Sequence, residues 1–178
     1  MNVIIVNASP RNNGNSAFIA GEVAAMYDGE AEIINLNALN MKPCTACRAC
    51  KNTGSLCVIK DDMAEIYPKM LNADKIIFIS PNIFGFISSL GKIFTDRFYC
   101  LKTADKKTKF EEGKKAVFIF TQGSPSRDHA NTAMNWAKNF FERYGLKTFT
   151  MVIPNCSDSS LDGAKIKINE IKTNVSMF

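Results

Sequence analysis

The sequence contains a single histidine, His129, and lacks any apolar stretch long enough to cross a membrane. Its N-terminus shows no basic segment, long apolar segment or cleavage site of the kind found in secretory leaders. It also has no Gly-Lys-Ser/Thr ending to a glycine-rich loop and no Gly-x-Gly-x-x-Gly motif. These absences predict a soluble, cytoplasmic protein without a membrane partner, and they argue against an ATP site and against a classical dinucleotide site.

Acid–base catalysis finds little support in the sequence either. His129 begins a predicted helix, where we interpret it as a surface or capping residue. No other side chain is an evident general acid or base, so we assign no catalytic residue.

Composition is typical of one compact domain over residues 1–178, because 46% hydrophobic content is enough to bury a core. The formal net charge is +5, and the lysines are scattered except for a run within residues 102–109. Nucleic acid is therefore not implied as a partner. We interpret the lysine run as a solvated loop that would also be able to steer an acidic electron carrier.

Four of the six cysteines, by contrast, lie close together, as Cys44-x2-Cys47-x2-Cys50-x6-Cys57, within a loop at about residues 40–60. Such compact spacing favours a [4Fe-4S] cluster. Zinc knuckles are usually more widely separated, and disulfides need an oxidising compartment. Zinc, redox-active thiols without metal and plain buried cysteines remain alternatives, and we interpret the isolated Cys100 and Cys156 as packing residues.

Short apolar runs alternate with amphipathic stretches along the chain, which is typical of βαβ units around a parallel sheet. The predicted strands are 2–8, 31–36, 75–80, 116–121 and 148–153. The predicted helices are 16–27, one from Asp61 or Asp62 that Pro68 kinks or shortens, 88–99, 128–144 closed by Gly145, and 161–173. We therefore predict an α/β fold with a doubly wound, flavodoxin-like five-stranded parallel sheet of order 2-1-3-4-5 and helices on both faces.

The loop after the first predicted strand, Asn7–Ser16, has the composition of a phosphate site. It combines hydroxyls, a cation and small turn formers at the start of a helix, namely Ser9, Arg11, Gly14, Asn15 and Ser16. Backbone amides at a helix N-terminus favour an anion. Ordinary helix capping explains the same residues and remains the alternative.

Two further loops follow strands whose ends should lie at the same edge of the sheet. They are Pro81–Phe86 and Thr121–Ser124. Together they supply backbone amides, small residues and aromatic rings, which suit a flat heteroaromatic ligand. Phe84 and Phe86 are equally well explained as core residues.

These motifs resemble the NADPH-dependent FMN reductase superfamily, and specifically its iron-sulfur flavoprotein branch, over nearly the whole chain. Ser9–Ser16 is similar to the FMN phosphate loop of that superfamily. Ser80–Gly85, with Asp96-Arg97 at the end of the next helix, is similar to its second flavin loop. The cysteine spacing resembles the cluster motif of the branch. A tyrosine common in similar proteins is replaced here by Ile83, a flavin contact that Phe84 or Phe86 would have to supply.

The resemblance implies FMN and a [4Fe-4S] cluster as cofactors, in a homodimer or a dimer of dimers with both centres near a subunit interface. It assigns the FMN phosphate to Ser9, Arg11, Asn13, Asn15 and Ser16. It assigns the isoalloxazine ring to Pro81, Asn82, Ile83, Phe84, Gly85, Thr121, Gln122 and Gly123. It assigns the cluster to Cys44, Cys47, Cys50 and Cys57.

The function that follows is electron transfer from a reduced carrier such as ferredoxin, by way of the cluster and FMN, to a small acceptor such as a quinone or an oxygen species. One alternative is an NAD(P)H-dependent FMN or quinone reductase without a functional cluster. Another is a non-catalytic redox or metal sensor whose cysteine loop changes state.

Overall fold

A computed structural model describes residues 1–157 and 160–178 of the chain. Within these residues, five strands form one sheet of order β2-β1-β3-β4-β5, and every neighbouring pair is parallel. The strands are β1 (Val3–Asn7), β2 (Ala31–Asn35), β3 (Lys75–Pro81), β4 (Lys115–Thr121) and β5 (Lys147–Ile153). The predicted fold class and strand order are confirmed.

Helices connect the strands and cover both faces of the sheet. In the described residues the α-helices are α1 (Asn15–Ala24), α2 (Ala49–Thr53), α3 (Met63–Asn72), α4 (Ser89–Asp96), α5 (Asn131–Glu142) and α6 (Asp162–Met177). Only α2, a short helix inside the cysteine loop, was not expected from the sequence. None of the helices in the described ranges is long and apolar enough to cross a membrane.

Successive residues of the central strands point to opposite faces, because side chains alternate along a strand. On one face, Ile77 and Ile79 of β3 belong to a buried cluster that includes Ile19 of α1 and Ile171 of α6. On the other face, Phe78 stacks on Phe94 of α4 and on Phe118 of β4, with ring centroids 5.9 Å apart in both pairs. Because the central strands are covered on both faces, they read as continuous apolar runs in the sequence.

Two helix boundaries show how packing modifies local signals. Gly145 adopts φ +80°, and its N–H donates to Glu142 O at 2.9 Å, so the predicted glycine stop after α5 is confirmed. The helix that Pro68 was predicted to kink or shorten runs through the proline, since α3 continues to Asn72. Buried residues on both sides of the proline, Ile66 and Met70 among them, hold the helix against the sheet and offset the lost hydrogen bond.

The loops that leave β1 and β3 diverge at the carboxyl edge of the sheet. β1 leads into α1, which packs on the aliphatic face, whereas β3 leads into α4, which packs on the aromatic face. The two strands are direct neighbours. A crevice therefore opens between their ends, at the place where doubly wound sheets bind ligands.

We predict opposite effects of the same substitution at two helical glycines. A Cβ at Gly163 of α6 would lie 2.3 Å from Asn155 O, whereas a Cβ at Gly21 of α1 would meet nothing within 4 Å. Gly163→Ala should destabilise the fold, and Gly21→Ala should stabilise it by roughly 0.5–1 kcal/mol through helix propensity. Urea unfolding of the two variants measures both changes in the free energy of unfolding. A stabilised Gly163→Ala protein would contradict the close approach of Gly163 to Asn155 O.

Candidate functional site

The crevice at the carboxyl edge contains a cavity of about 400 Å³. Loops after β1, β3, β4 and β5 line it: Ser9, Pro10, Arg11, Gly14, Asn15, Ser16, Pro81, Asn82, Ile83, Thr121, Gln122, Gly123, Cys156 and Ser157. Its volume lies in the range of cofactor and small-molecule sites. We call it the carboxyl-edge cleft.

Most of the residues assigned to FMN from the sequence line this cleft, but three do not: Asn13, Phe84 and Gly85. Asn13 is exposed. Phe84 and Gly85 form the tip of a turn at φ 51° and φ 80°, and Phe84 is fully exposed. The turn is closed by reciprocal backbone hydrogen bonds between Ile83 and Phe86, and its tip is not part of the cleft lining.

The structure adds lining residues that the sequence argument left out. Cys156, which was interpreted as a packing residue, lines the cleft beside Ser157. Their loop follows β5 and reaches the same edge as the other three loops. The rule that carboxyl ends of parallel strands share one edge would have found it, had it been applied to the fifth strand.

The loop after β1 is folded by its own polar groups. Asn7 Oδ1 accepts a hydrogen bond from the Ser9 N–H at 3.1 Å, and Ser9 Oγ accepts one from the Arg11 N–H at 3.1 Å. α1 then begins after Gly14, with no side-chain cap and no acidic residue in its first turn. These features leave the positive end of the helix dipole facing the cleft without a competing carboxylate, as an anion site requires.

Side-chain hydrogen bonds fix the shape of the cleft. Ser16 Oγ and Thr121 Oγ1 lie 3.0 Å apart and join the first turn of α1 to the end of β4. Asn15 Oδ1 accepts from the backbone N–H of Ala164 in α6. Gln122 Nε2 donates to the Ser124 and Ser126 carbonyls at 3.0 and 2.6 Å. The amide oxygen of Asn15 and the amide nitrogen of Gln122 are thus used to hold elements of the protein in place.

A second, much smaller cavity lies among the cysteines. Its lining contains Cys44, Cys47, Cys50 and Cys57, with Cys100, Thr45, Arg48, Val58, Ile59, Arg97 and Tyr99. We call it the cysteine cavity. All six cysteines are free thiols. Cys100, which was also interpreted as a packing residue, is buried in this wall as a fifth sulfur.

The cysteine loop winds tightly enough to turn its thiols to one side. Ala46, Arg48 and Gly54 adopt left-handed conformations, with φ 53°, 60° and 70°, around the short helix α2. A hydrogen bond from the backbone N–H of Ala49 holds the pKa of the Cys47 thiol below its ordinary value, which favours the thiolate. Burial raises the pKa of the Cys100 thiol.

The donor set fits an iron–sulfur group or a soft metal ion, because thiols dominate the cavity wall and no carboxylate or imidazole lines it. The free volume, about 10 Å³, is that of one water molecule. Within residues 1–157 and 160–178, no three potential metal ligands are arranged to hold an ion. The fold thus collects the four predicted thiols around one cavity, while the closed cage remains a prediction.

A buried ion pair anchors the loop to the rest of the protein. Arg97 Nη1 and Nη2 donate to the Asp61 carboxylate at 2.5 and 3.1 Å, and both side chains are fully buried. Burial acts to raise the pKa of Asp61, but hydrogen bonds from Arg97 and from the Lys42 N–H outweigh it and hold that pKa below its usual value. Arg97 Nη1 also donates to Lys42 O at 2.7 Å. The pair therefore holds both backbone groups of Lys42, two residues before Cys44.

The position of Arg97 differs from the one suggested by the sequence. The resemblance associated Asp96-Arg97 with the second flavin loop, at the carboxyl-edge cleft. In the structure, α4 leads away from that cleft, and Arg97 lies in the wall of the cysteine cavity instead. Its Nε is the one buried side-chain nitrogen or oxygen in the described part of the chain that has no hydrogen-bond partner.

Comparison with known proteins was made at the level of family and of individual relatives. Residues 1–156 match the family model for NADPH-dependent FMN reductase. An iron-sulfur flavoprotein of Methanocaldococcus jannaschii is 35% identical over 79% of this chain and 72% of the relative. An iron-sulfur flavoprotein of Methanosarcina thermophila is 36% identical over 57% of this chain and 54% of the relative, so the match spans about half of that protein.

Solved structures agree with the fold. An NAD(P)H:quinone oxidoreductase from Methanothermobacter marburgensis superposes with a TM-score of 0.77 at 16% identity, covering 97% of this chain and 93% of that one. An FMN-dependent NADH-azoreductase from Bacillus anthracis, in complex with FMN, gives a TM-score of 0.75 at 14% identity over 99% of both chains. At these identities the likeness shows the shared architecture.

We predict that Asp61→Asn destabilises the protein by on the order of 3–5 kcal/mol, because it leaves a buried guanidinium without its counter-charge. Asp62→Asn, a change at an exposed neighbour that accepts the Asn40 N–H, is the matched control. The pKa of Asp61 is lower in the folded protein than in the unfolded chain. The stabilisation that the ionised carboxylate gives the fold is therefore complete above the unfolded-state pKa and is lost as the pH falls through the folded-state pKa. Urea unfolding should show the wild-type advantage over Asp61→Asn shrinking below about pH 4, and a constant advantage would contradict the assignment.

Proposed function

Since the chain belongs to the NADPH-dependent FMN reductase family and to its iron-sulfur flavoprotein branch, we propose that it is an electron-transfer flavoprotein with FMN in the carboxyl-edge cleft and a [4Fe-4S] cluster in the cysteine cavity. Membership of the family makes it a flavin-dependent oxidoreductase. The proposal adds the cluster, a reduced carrier such as ferredoxin as donor, and a small acceptor such as a quinone. Such a cluster exchanges single electrons and FMN exchanges one or two.

The observation that carries the proposal is the collection of four cysteines from one short loop around a single cavity, away from the carboxyl-edge cleft. Neither cavity shares a lining residue with the other. One has helix-terminal amides and an arginine for an anionic phosphate, and the other has sulfur ligands. Two chemically different walls support two cofactors with separate roles.

The surface beside the cysteine cavity supports an acidic protein as electron donor. A groove of about 220 Å³ is lined by Arg48, Lys51, Lys102 and Lys106, and it shares Arg48 and Tyr99 with the cysteine cavity. No carboxylate lines this groove. Lys51 Nζ donates to the Tyr99 and Lys102 carbonyls, which holds part of the rim together. Clustered positive charge of this kind steers acidic partners toward the site they face.

A second candidate function is an NAD(P)H-dependent FMN or quinone reductase in which the cysteines hold no cluster. The arrangement of the thiols, which is not closed around an ion, favours it. The carboxyl-edge cleft has a volume in the range of cofactor sites in either case. Hydride delivery to the flavin would then replace electron entry at the cysteine loop.

The test of the proposed function begins with anaerobically purified protein, on which iron, acid-labile sulfide, zinc and flavin are quantified. We expect flavin together with about four irons per chain. Cys50→Ser should lose the iron and keep the flavin, whereas Asn52→Ser, a change at an exposed residue of the same loop that lines neither cavity, should keep both. Flavin reduction by reduced ferredoxin should then fail in Cys50→Ser alone.

Other results of that experiment have distinct meanings. Flavin without iron, with steady turnover on NAD(P)H, would replace the proposal with the reductase. Zinc in place of iron would make the cysteine loop structural. A Cys50→Ser protein with full iron content would contradict the ligand assignment.

We predict that Arg11→Ala weakens FMN binding by about 10-fold or more, because a charge-assisted contact to phosphate contributes on the order of 1.5–3 kcal/mol. The iron content should not change. Arg143→Ala, at the exposed end of α5, is the control for removal of a positive charge. Fluorescence titration of the flavin-free protein with FMN measures the affinity, and equal affinity for Arg11→Ala and wild type would remove Arg11 from the phosphate site.

A further inference from the structure

The Nε of Arg97 is a buried hydrogen-bond donor without a partner in the described residues. Arg97 is 1% exposed. Buried polar groups are normally paired, so an orphaned donor in a cavity wall points to a partner that is bound there. Arg97 forms part of the wall of the cysteine cavity.

The remaining donors of the guanidinium are already used, which fixes its orientation. Nη1 donates to Asp61 and to the Lys42 carbonyl, and Nη2 donates to the second oxygen of Asp61. A guanidinium is planar, and its N–H directions are rigid relative to one another. Once both Nη groups are held, the direction of the Nε–H is fixed as well.

The wall of this cavity offers mainly sulfur to such a donor. Five cysteines line it, together with the apolar side chains of Val58 and Ile59, and the other lining residues besides Arg97 are Thr45, Arg48 and Tyr99. The positive charge of Arg97 is offset by the buried carboxylate of Asp61. Arg97 therefore acts on the cavity mainly through the dipole of its Nε–H bond and less through a net charge.

We propose that Arg97 donates its Nε–H to a sulfur of the group bound in the cysteine cavity, and so raises the electron affinity of that group. This inference rests on the proposed [4Fe-4S] cluster. Hydrogen bonds to the sulfurs are among the features that set the potential of such clusters, because they stabilise the negative charge added on reduction. Asp61 acts through Arg97, as the residue that orients it.

Arg97→Lys is the informative variant. Lysine keeps a positive charge near Asp61 and lacks the Nε–H of the planar fork. We expect full iron and sulfide content and an unchanged flavin potential. The equilibrium constant for reduction of the cluster should fall at least 10-fold, which lowers the cluster potential by about 59 mV for a one-electron couple. Arg143→Lys, the same change at an exposed arginine that does not line the cysteine cavity, should leave the cluster potential at its wild-type value.

A spectroscopic measurement that needs no change at Arg97 covers the case in which Arg97→Lys does not assemble its cluster. Protein carrying Arg48→Lys is labelled with ¹⁵N-arginine, reduced, and studied by pulsed electron paramagnetic resonance. We expect hyperfine coupling from an arginine nitrogen to the reduced cluster. Asp61→Asn, if it retains iron, should weaken this coupling because it frees the guanidinium.

The outcomes separate the two proposals. Wild-type protein without iron and sulfide overturns the proposed function, and the role of Arg97 with it. Iron-loaded protein without coupling to an arginine nitrogen overturns the role of Arg97 alone. So does an Arg97→Lys protein with full iron and the wild-type cluster potential.

Discussion

The parallel pairing of β1 with β3 is the constraint on which both cavities depend. Because these neighbouring strands lead to helices on opposite faces, their loops separate and open the carboxyl-edge cleft. Ser88, which caps α4, donates to the Ala8 carbonyl at 2.6 Å and so ties the start of α4 to the loop after β1. α4 extends for eight residues, about 12 Å, and Arg97 at its end reaches the cysteine cavity. The helix α4 thus connects the carboxyl-edge cleft to the cysteine cavity.

The Asp61–Arg97 pair gives the cysteine loop a defined position on this frame. A buried ion pair loses much of its Coulombic gain to desolvation, so its presence is better explained by what it orients than by net stability. Here it holds both backbone groups of Lys42 and satisfies the backbone N–H of Met63 at the start of α3. The segments on either side of the cysteine loop are therefore bound to the same two side chains. This arrangement keeps the thiols on one wall although the loop itself contains little regular structure.

The two cavity walls differ in the kind of group they are able to hold. The carboxyl-edge cleft offers amides, hydroxyls and an arginine on a preorganised set of loops, which suits a phosphate and a polar ring edge. The cysteine cavity offers sulfur and one buried N–H donor. A basic groove adjoins the second cavity, so under the proposed function a protein donor would dock beside the cysteine cavity and not at the carboxyl-edge cleft. The cluster would then exchange single electrons, and FMN would exchange one or two.

Much of the fold could be predicted from the local pattern of residues in the sequence. Continuous apolar runs identified the central strands because both of their faces are buried, and Gly145 marked the end of α5 through its left-handed conformation. Compact cysteine spacing identified the loop, and the β1 loop identified most of one cleft wall. The exceptions depended on geometry beyond the local sequence: a tight turn at Ile83–Phe86 directs Phe84 outward, and Cys100 and Cys156 reach the cavities from separate elements. The link between Asp61 and Arg97 spans 36 positions and exists because α4 packs beside the cysteine loop. Spacing along a chain encodes contacts within one element, whereas contacts between elements follow from how those elements pack.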